Sequence, residues 1–142
     1  MTLLGISLST AQIVIDAALK EGRKLGLKPV SVAVLDAGGH MIAFAREDGS
    51  STLRPQIATA KAAGALALGV SSRTIAEMAI ERPTFIATAA GLSAGGIIPA
   101  AGGVLIRNEA GAVIGAVGVT GDTSDNDEAC ALAGIAAAGL RA

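Results

Sequence analysis

The stretch GGVLIRNEAGAVIGAVGVTG, Gly102–Gly121, decides how the chain folds. It reads as a β-hairpin in which Val104–Arg107 rises, Asn108-Glu109-Ala110-Gly111 turns and Ala112–Thr120 returns. Its turn residues tolerate or demand unusual φ, and apolar β-formers flank them. Outside the turn stand Gly102, Gly103, Gly115, Gly118 and Gly121. Glycine weakens a strand, so this series predicts backbone lying close against a packed helix, a neighbouring subunit or a flat ligand. A second stretch has the same grammar: Val30–Leu35, then Asp36-Ala37-Gly38-Gly39-His40, then Met41–Arg46. Two such hairpins predict one antiparallel sheet with helices between and around it.

The 142 residues suit a single domain spanning 1–142 with a real core. Hydrophobic residues make up 51% and mean hydropathy is +0.60, yet no run reads as a membrane span. Even Pro55–Ser72, whose only charge is Lys61, contains Gln, Thr, Ser and two Gly. The N-terminus has no basic segment followed by an apolar one, so the chain as given reads as cytoplasmic. A net charge of −1 without a basic cluster, and an aromatic content of two Phe, argue against nucleic acid. The single cysteine, Cys130, excludes an internal disulfide or a thiolate zinc site and reads as a small buried hydrophobe. A core of Ala, Val, Ile and Leu leaves apolar surface to cover, which predicts an even-numbered homo-oligomer.

Helix signals frame the hairpins. Ser9-Thr-Ala-Gln12 reads as a capping box with Leu8 and Ile13 as a hydrophobic staple, the Val14/Ala18/Leu25 face buried and Gly26 closing the helix. Pro55–Leu68 reads as a helix apolar nearly all round, with Lys61 among alanines. Thr74-Ile-Ala-Glu77 opens a third helix that Pro83 stops. Thr84–Ala101 shows little periodicity and reads as a loop, with at most a short strand near Ile97–Ala101. Ser124 with Asp127 caps a final helix ending near Leu140, and Asp125, Asp127 and Glu128 complement its dipole.

Few residues carry chemistry. An ammonium buried in an alanine-rich helix needs an answering charge, so Lys61 is read either as a ligand or catalytic group or as pairing with a structural acid such as Asp36 or Asp48. His40 is the only histidine; it offers one axial ligand to a haem iron, with Met41 or Met78 as alternatives. An EF-hand reading of the Asp122–Glu128 acids fails, because the sixth position is Asp127 and the twelfth Ala133. Neither glycine-rich nucleotide fingerprint is met, and no metal site is expected.

Taken together, VAVLDAGGHMIAFARED (Val32–Asp48), Lys61-Ala62, the segment Pro99–Ile106 and the run Val113–Gly134 (VIGAVGVTG, then DNDEACALAG) resemble the GlcG/HbpS-like family. That haem-degrading-protein-like family includes the C-terminal domain of PduO-type adenosyltransferases, and the resemblance covers about Leu8 to Leu140. It implies an α/β (α+β), profilin-like fold, with a five-stranded antiparallel sheet flanked by helices, assembled into tetramers or octamers. It also implies binding of haem or a related tetrapyrrole, or a support role in a small-molecule catabolic operon. The matching positions are Asp36, Gly38, Gly39, Asp48, Lys61, Gly102, Gly103, Gly118, Gly121 and Asp125; Leu105 replaces the family's proline after the glycine pair. Two functional classes follow. One is a tetrapyrrole-binding module. The other is a small acid/base enzyme on an anionic carboxylate metabolite, with Lys61 and Arg46 holding the anion and Asp36 or Asp48 moving protons. In both, Lys61 is expected at the mouth of a pocket formed with the glycine-rich hairpin Gly102–Gly121 and bordered by Arg46 or by the helix start near Ser51, where an anionic group binds.

Overall fold

A computed structural model describes residues 5–142. In chain order the elements are α1 (Leu8–Lys24), β1 (Ser31–Asp36), β2 (Met41–Arg46), α2 (Arg54–Leu68), α3 (Ser72–Glu81), α4 (Pro83–Leu92), β3 (Gly103–Arg107), β4 (Val113–Thr120) and α5 (Ser124–Ala137). Both hairpins form as read. They join through β1 and β4 into an antiparallel sheet of order β2-β1-β4-β3. The sheet therefore has four strands among the described residues, where the resemblance implied five. The segment Ile97–Ala101 makes no strand, and the only further pairing among the described residues is an isolated bridge from Arg107 to Arg141.

The two faces of the sheet are built differently. Val32, Val34, Val104, Ile106, Val117 and Val119 turn toward α1 and α5, meeting Val14, Ala18, Cys130 and Ile135 in the main core. The opposite face is covered by α2, with glycine and alanine at its centre. Two ladder rows run beneath that helix. Gly103, Gly118 and Ala33 form one across β3, β4 and β1; Leu105, Ala116 and Leu35 form the next. Directly opposed residues in an antiparallel ladder share a face, so these rows are the floor on which α2 rests. A Cβ at Gly118 would lie 3.0 Å from the Ala58 carbonyl carbon and the Ala62 nitrogen, and nearer still to the Ala58 carbonyl oxygen. The glycine series answers to a packed helix.

Several boundaries differ from the sequence reading, each for a local reason. Ser7, not Ser9, caps α1, because its Oγ reaches the Thr10 amide at 3.1 Å. Leu8 and Ile13 are 55% and 48% exposed, so they form no staple, and Leu25 at 46% lies off the buried face. Gly26 does follow the helix end with φ +67°. Ser71 caps α3 and Thr123 caps α5, one to three residues ahead of the expected starts. Thr84–Ala101 is not all loop. Pro83 occupies the first turn of α4, where its missing N–H costs nothing, and the helix runs to Leu92. Only Ile86 of α4 is buried, so no amphipathic period marks the helix.

Candidate functional site

Lys61 projects from the middle of α2 into the protein and is 3% exposed. Its Nζ donates to the Val119 carbonyl at 2.9 Å and to Asp127 Oδ2 at 3.2 Å. Asp127 is equally sealed at 1% exposed, and it accepts the Gly121 amide at 3.3 Å and the Asp122 amide at 2.9 Å. The acid that answers Lys61 is thus Asp127, in the first turn of α5, rather than Asp36 or Asp48. Burial pushes the Lys61 amine below its ordinary value, Asp127 opposes that shift, and the Arg54 charge adds to it. Among the described residues, Lys61 lines none of the five main clefts, so it does not stand at the mouth of one as expected.

The glycines around this pair make room for it. A Cβ at Gly102 would stand 2.8 Å from Lys61 Nζ, one at Gly103 would collide with the Lys61 carbonyl, and one at Gly121 with the Pro29 carbonyl. Together with Gly118 they are contact points for backbone and for the Lys61 stem. Ser72, which sequence reasoning passed over, is also buried; its Oγ accepts the Gly103 amide at 2.7 Å and pins β3 to α3. Lys61 and Asp127 thus tie α2 and α5 to the end of β4, and Ser72 separately ties α3 to the start of β3.

The remaining candidates lie at two ends of the sheet. Arg46 and Asp48 are exposed beside the start of β1, lining a cleft of about 360 Å³ with Arg23, Pro29 and Glu47. Asp36 and His40 lie at the opposite end, where both hairpins turn. The five residue steps along β1 separate these ends by roughly 16 Å at about 3.3 Å per residue. The acid/base constellation of Lys61, Arg46, Asp36 and Asp48 is therefore not brought together.

At the turn end, Asp36 organises a small motif. Its Oδ1 accepts the Gly38 amide at 2.9 Å, the His40 amide at 3.0 Å and a contact from His40 Nδ1 at 3.2 Å. The His40 amide most of all, with the Gly38 amide and the His40 ring adding to it, draws the Asp36 carboxyl below its usual range against the opposing effect of burial. The His40 ring is 81% exposed and lies over Gly38, where a Cβ would approach it to 3.0 Å. In the neutral ring, a hydrogen bond to the carboxylate requires the proton on Nδ1, and the Nε2 lone pair is then left for a ligand. Beside this turn a cleft of about 300 Å³ is lined by Ala37, Gly38, Gly39, Ala63, Leu66 and Gly95, among others. It shares Ala67 and Ser93 with a cleft of about 410 Å³ that reaches Phe85, Ala89 and Leu92 of α4. The two make one furrow, mostly apolar, ending next to His40. Met41 and Phe44, at 48% and 37% exposure, face the same side of the sheet as α2.

Among the described residues no three or more His, Cys, Asp or Glu side chains converge as a metal site, and no helix is long and apolar enough to cross a membrane. Cys130 is buried, and burial first, then Asp127, Glu21 and Glu47, push its thiol up to about 11.

Comparison with known proteins agrees with this architecture. No curated protein matches the chain significantly. Among solved structures, a PduOC:haem complex superposes with a TM-score of 0.86 at 22% identity, covering 97% of this chain and 98% of that one. The ORFY protein of Klebsiella pneumoniae gives 0.85 at 25% identity, covering 98% and 94%. A double mutant of HbpS from Streptomyces reticuli gives 0.81 at 28% identity, covering 96% and 88%. The family model described as haem degrading protein HbpS-like matches residues 6–136, nearly the whole chain. This chain belongs to the HbpS-like haem degrading protein family.

Proposed function

We propose that this protein binds haem or a related tetrapyrrole, working in the cytoplasm as an even-numbered homo-oligomer, a tetramer or an octamer. The observation that carries the reading is the His40–Asp36 pair at the mouth of the apolar furrow. Its carboxylate fixes the imidazole tautomer and leaves an exposed Nε2, the arrangement a metal-ligating histidine needs. The residues present fit a flat, mostly apolar group. Gly38 and Gly39 give it close access to backbone, and Ala63, Leu66, Ala67 and Phe85 supply apolar walls. Bound haem would bring an iron centre capable of ligand exchange or electron transfer. Asp36 would hold the ring in place, and the furrow would exclude water from one face. The haem complex among the structural relatives supports the same reading. The furrow is open to solvent, so a second copy would cover what this chain leaves bare, consistent with exposed Leu92 and Phe85 along its rim.

Hemin titration tests the proposal. The expected result is a Soret band saturating at a fixed ratio of hemin to chain, in a particle whose mass by light scattering is an even multiple of 13.8 kDa. His40→Ala should abolish the ligated spectrum, and free imidazole should restore it. An unchanged spectrum and affinity in His40→Ala would remove His40 from the site, and a monomeric mass at micromolar concentration would remove the oligomer.

A further inference from the structure

The end of the sheet away from His40 has donors without acceptors. There the ladder places Arg46, Ser31 and Thr120 in one row across β2, β1 and β4, so the three side chains share the α2 face. Arg54, at the start of α2, donates from Nη1 to Thr120 Oγ1 at 2.8 Å. Two guanidinium groups thus flank Ser31, and neither forms an ion pair among the described residues. Ser31 is fully buried and its Oγ has no hydrogen-bond partner; the Oγ of Ser50, on the connection between the two arginines, has none either. Buried hydroxyls are nearly always satisfied in native proteins, and each orphan asks what completes it.

The local charges point the same way. Lys61 is neutralised by Asp127, and Glu47 by Arg23 at 3.0 Å. Asp122 is occupied by the Lys28 and Thr123 amides and the Asn126 side chain. Arg46 and Arg54 remain without an ion pair among the described residues, Arg46 on the rim of a cleft of about 360 Å³ that the exposed Asp48 also lines. Guanidinium groups match oxyanions in geometry and charge, and with the Asp48 and Asp122 carboxylates near this end a singly charged oxyanion is repelled less than a doubly charged one.

We propose that this end of the sheet is a binding site for a small singly charged oxyanion, a carboxylate group, held between Arg46 and Arg54 with Ser31 Oγ as a third donor. Arg54 turns from Thr120 toward the anion, which uncovers Ser31 and gives its hydroxyl the partner it lacks. The site is independent of the tetrapyrrole reading, because its residues lie roughly 16 Å from His40, five strand steps along β1.

The test compares thermal unfolding of the intact protein in sodium acetate, sodium phosphate and sodium chloride at matched ionic strength and fixed protein concentration. Acetate should raise the midpoint beyond chloride, since a ligand of the folded state alone stabilises it by mass action. Arg46→Gln and Arg54→Gln should each weaken the apparent acetate affinity tenfold or more, while Arg107→Gln, an arginine at the other end of the sheet, should leave it unchanged. Ser31→Ala should weaken it several-fold yet raise the midpoint without acetate, because it deletes an unsatisfied hydroxyl. Equal midpoints in acetate and chloride overturn the proposal, and so does an equal loss in Arg107→Gln. A response to phosphate alone overturns the carboxylate assignment. Should Arg54→Gln not fold, the exposed Arg46→Gln decides the matter.

Discussion

Gly118→Ala adds one methyl group where α2 leaves no room for it. The new Cβ would sit 3.0 Å from the Ala58 carbonyl carbon and the Ala62 nitrogen, closer still to the Ala58 oxygen, so every obstructing atom is backbone. No rotamer change relieves such a clash; α2 has to lift from the sheet. That movement would also strain the Lys61–Asp127 pair, since both Lys61 and Ala58 belong to α2. Overpacked sites cost about 1–3 kcal/mol, and a site bounded by backbone belongs at the top of that range. For a domain of this size about 3 kcal/mol corresponds to a melting temperature lower by about 10 °C. Gly91→Ala provides the control. Gly91 lies in α4, and a Cβ there would meet nothing within 4 Å, so alanine should raise stability by about 0.5–1 kcal/mol through helix propensity alone. Calorimetry or circular dichroism at one protein concentration measures both variants. If Gly118→Ala melts within about two degrees of the parent, roughly 0.6 kcal/mol, α2 is not seated on the β4 backbone as described.

Lys61→Met leaves the Asp127 carboxylate buried without its cation, and breaking such a pair costs about 3–5 kcal/mol, readable as a lower urea midpoint. An unchanged midpoint would place the ammonium in solvent. Ser72→Ala removes the acceptor of the buried Gly103 amide and should cost about 1–3 kcal/mol in the same assay; no loss would mean that β3 does not depend on this bond. The Asn126 side chain, then the Thr123 and Lys28 amides, lower the Asp122 carboxyl to about 2. A depressed acid stabilises the fold above its unfolded value of 3.8, and that contribution fades as pH falls through about 2. Carboxyl ¹³C titration should find the midpoint near 2 and Asn126→Ala should raise it; a midpoint near 3.8 in the parent would refute the capping network.

The hairpins and their sheet follow from sequence because turn chemistry and strand alternation are local, and Gly38-Gly39 and Asn108–Gly111 state them within a few residues. The helices α1, α2, α3 and α5 are visible on similar grounds, though their first turns shift where two neighbouring hydroxyls compete for one cap, as Ser7 does with Ser9. Helix α4 leaves no such trace: with only Ile86 buried, its residues carry no period. At the candidate site, the sequence marks Lys61 as a charge needing an answer but does not say which acid supplies it. Asp127 is 66 residues away and doubles as a helix-start acid, so its second role exists only in the packed structure. Ser72, paired with Gly103 across 31 residues, is hidden for the same reason. The division of Asp36 and His40 from Arg46 and Asp48 rests on the strand length between them, which no motif encodes.

The two margins of the sheet are unequal. Beyond β3, Arg107 and Arg141 exchange amide bonds at 2.7 and 3.0 Å, which partly closes that side. Beyond β2 no strand follows among the described residues, and its sequence, MIAFAR, has neither a proline nor a lysine to discourage pairing. Strand addition is therefore open at one margin only. When two copies meet through β2, each has spent its open margin on the other, and what they present outward is the side already closed. Joining by this route stops at a pair, so the geometry that invites association also keeps it from running on into a fibre.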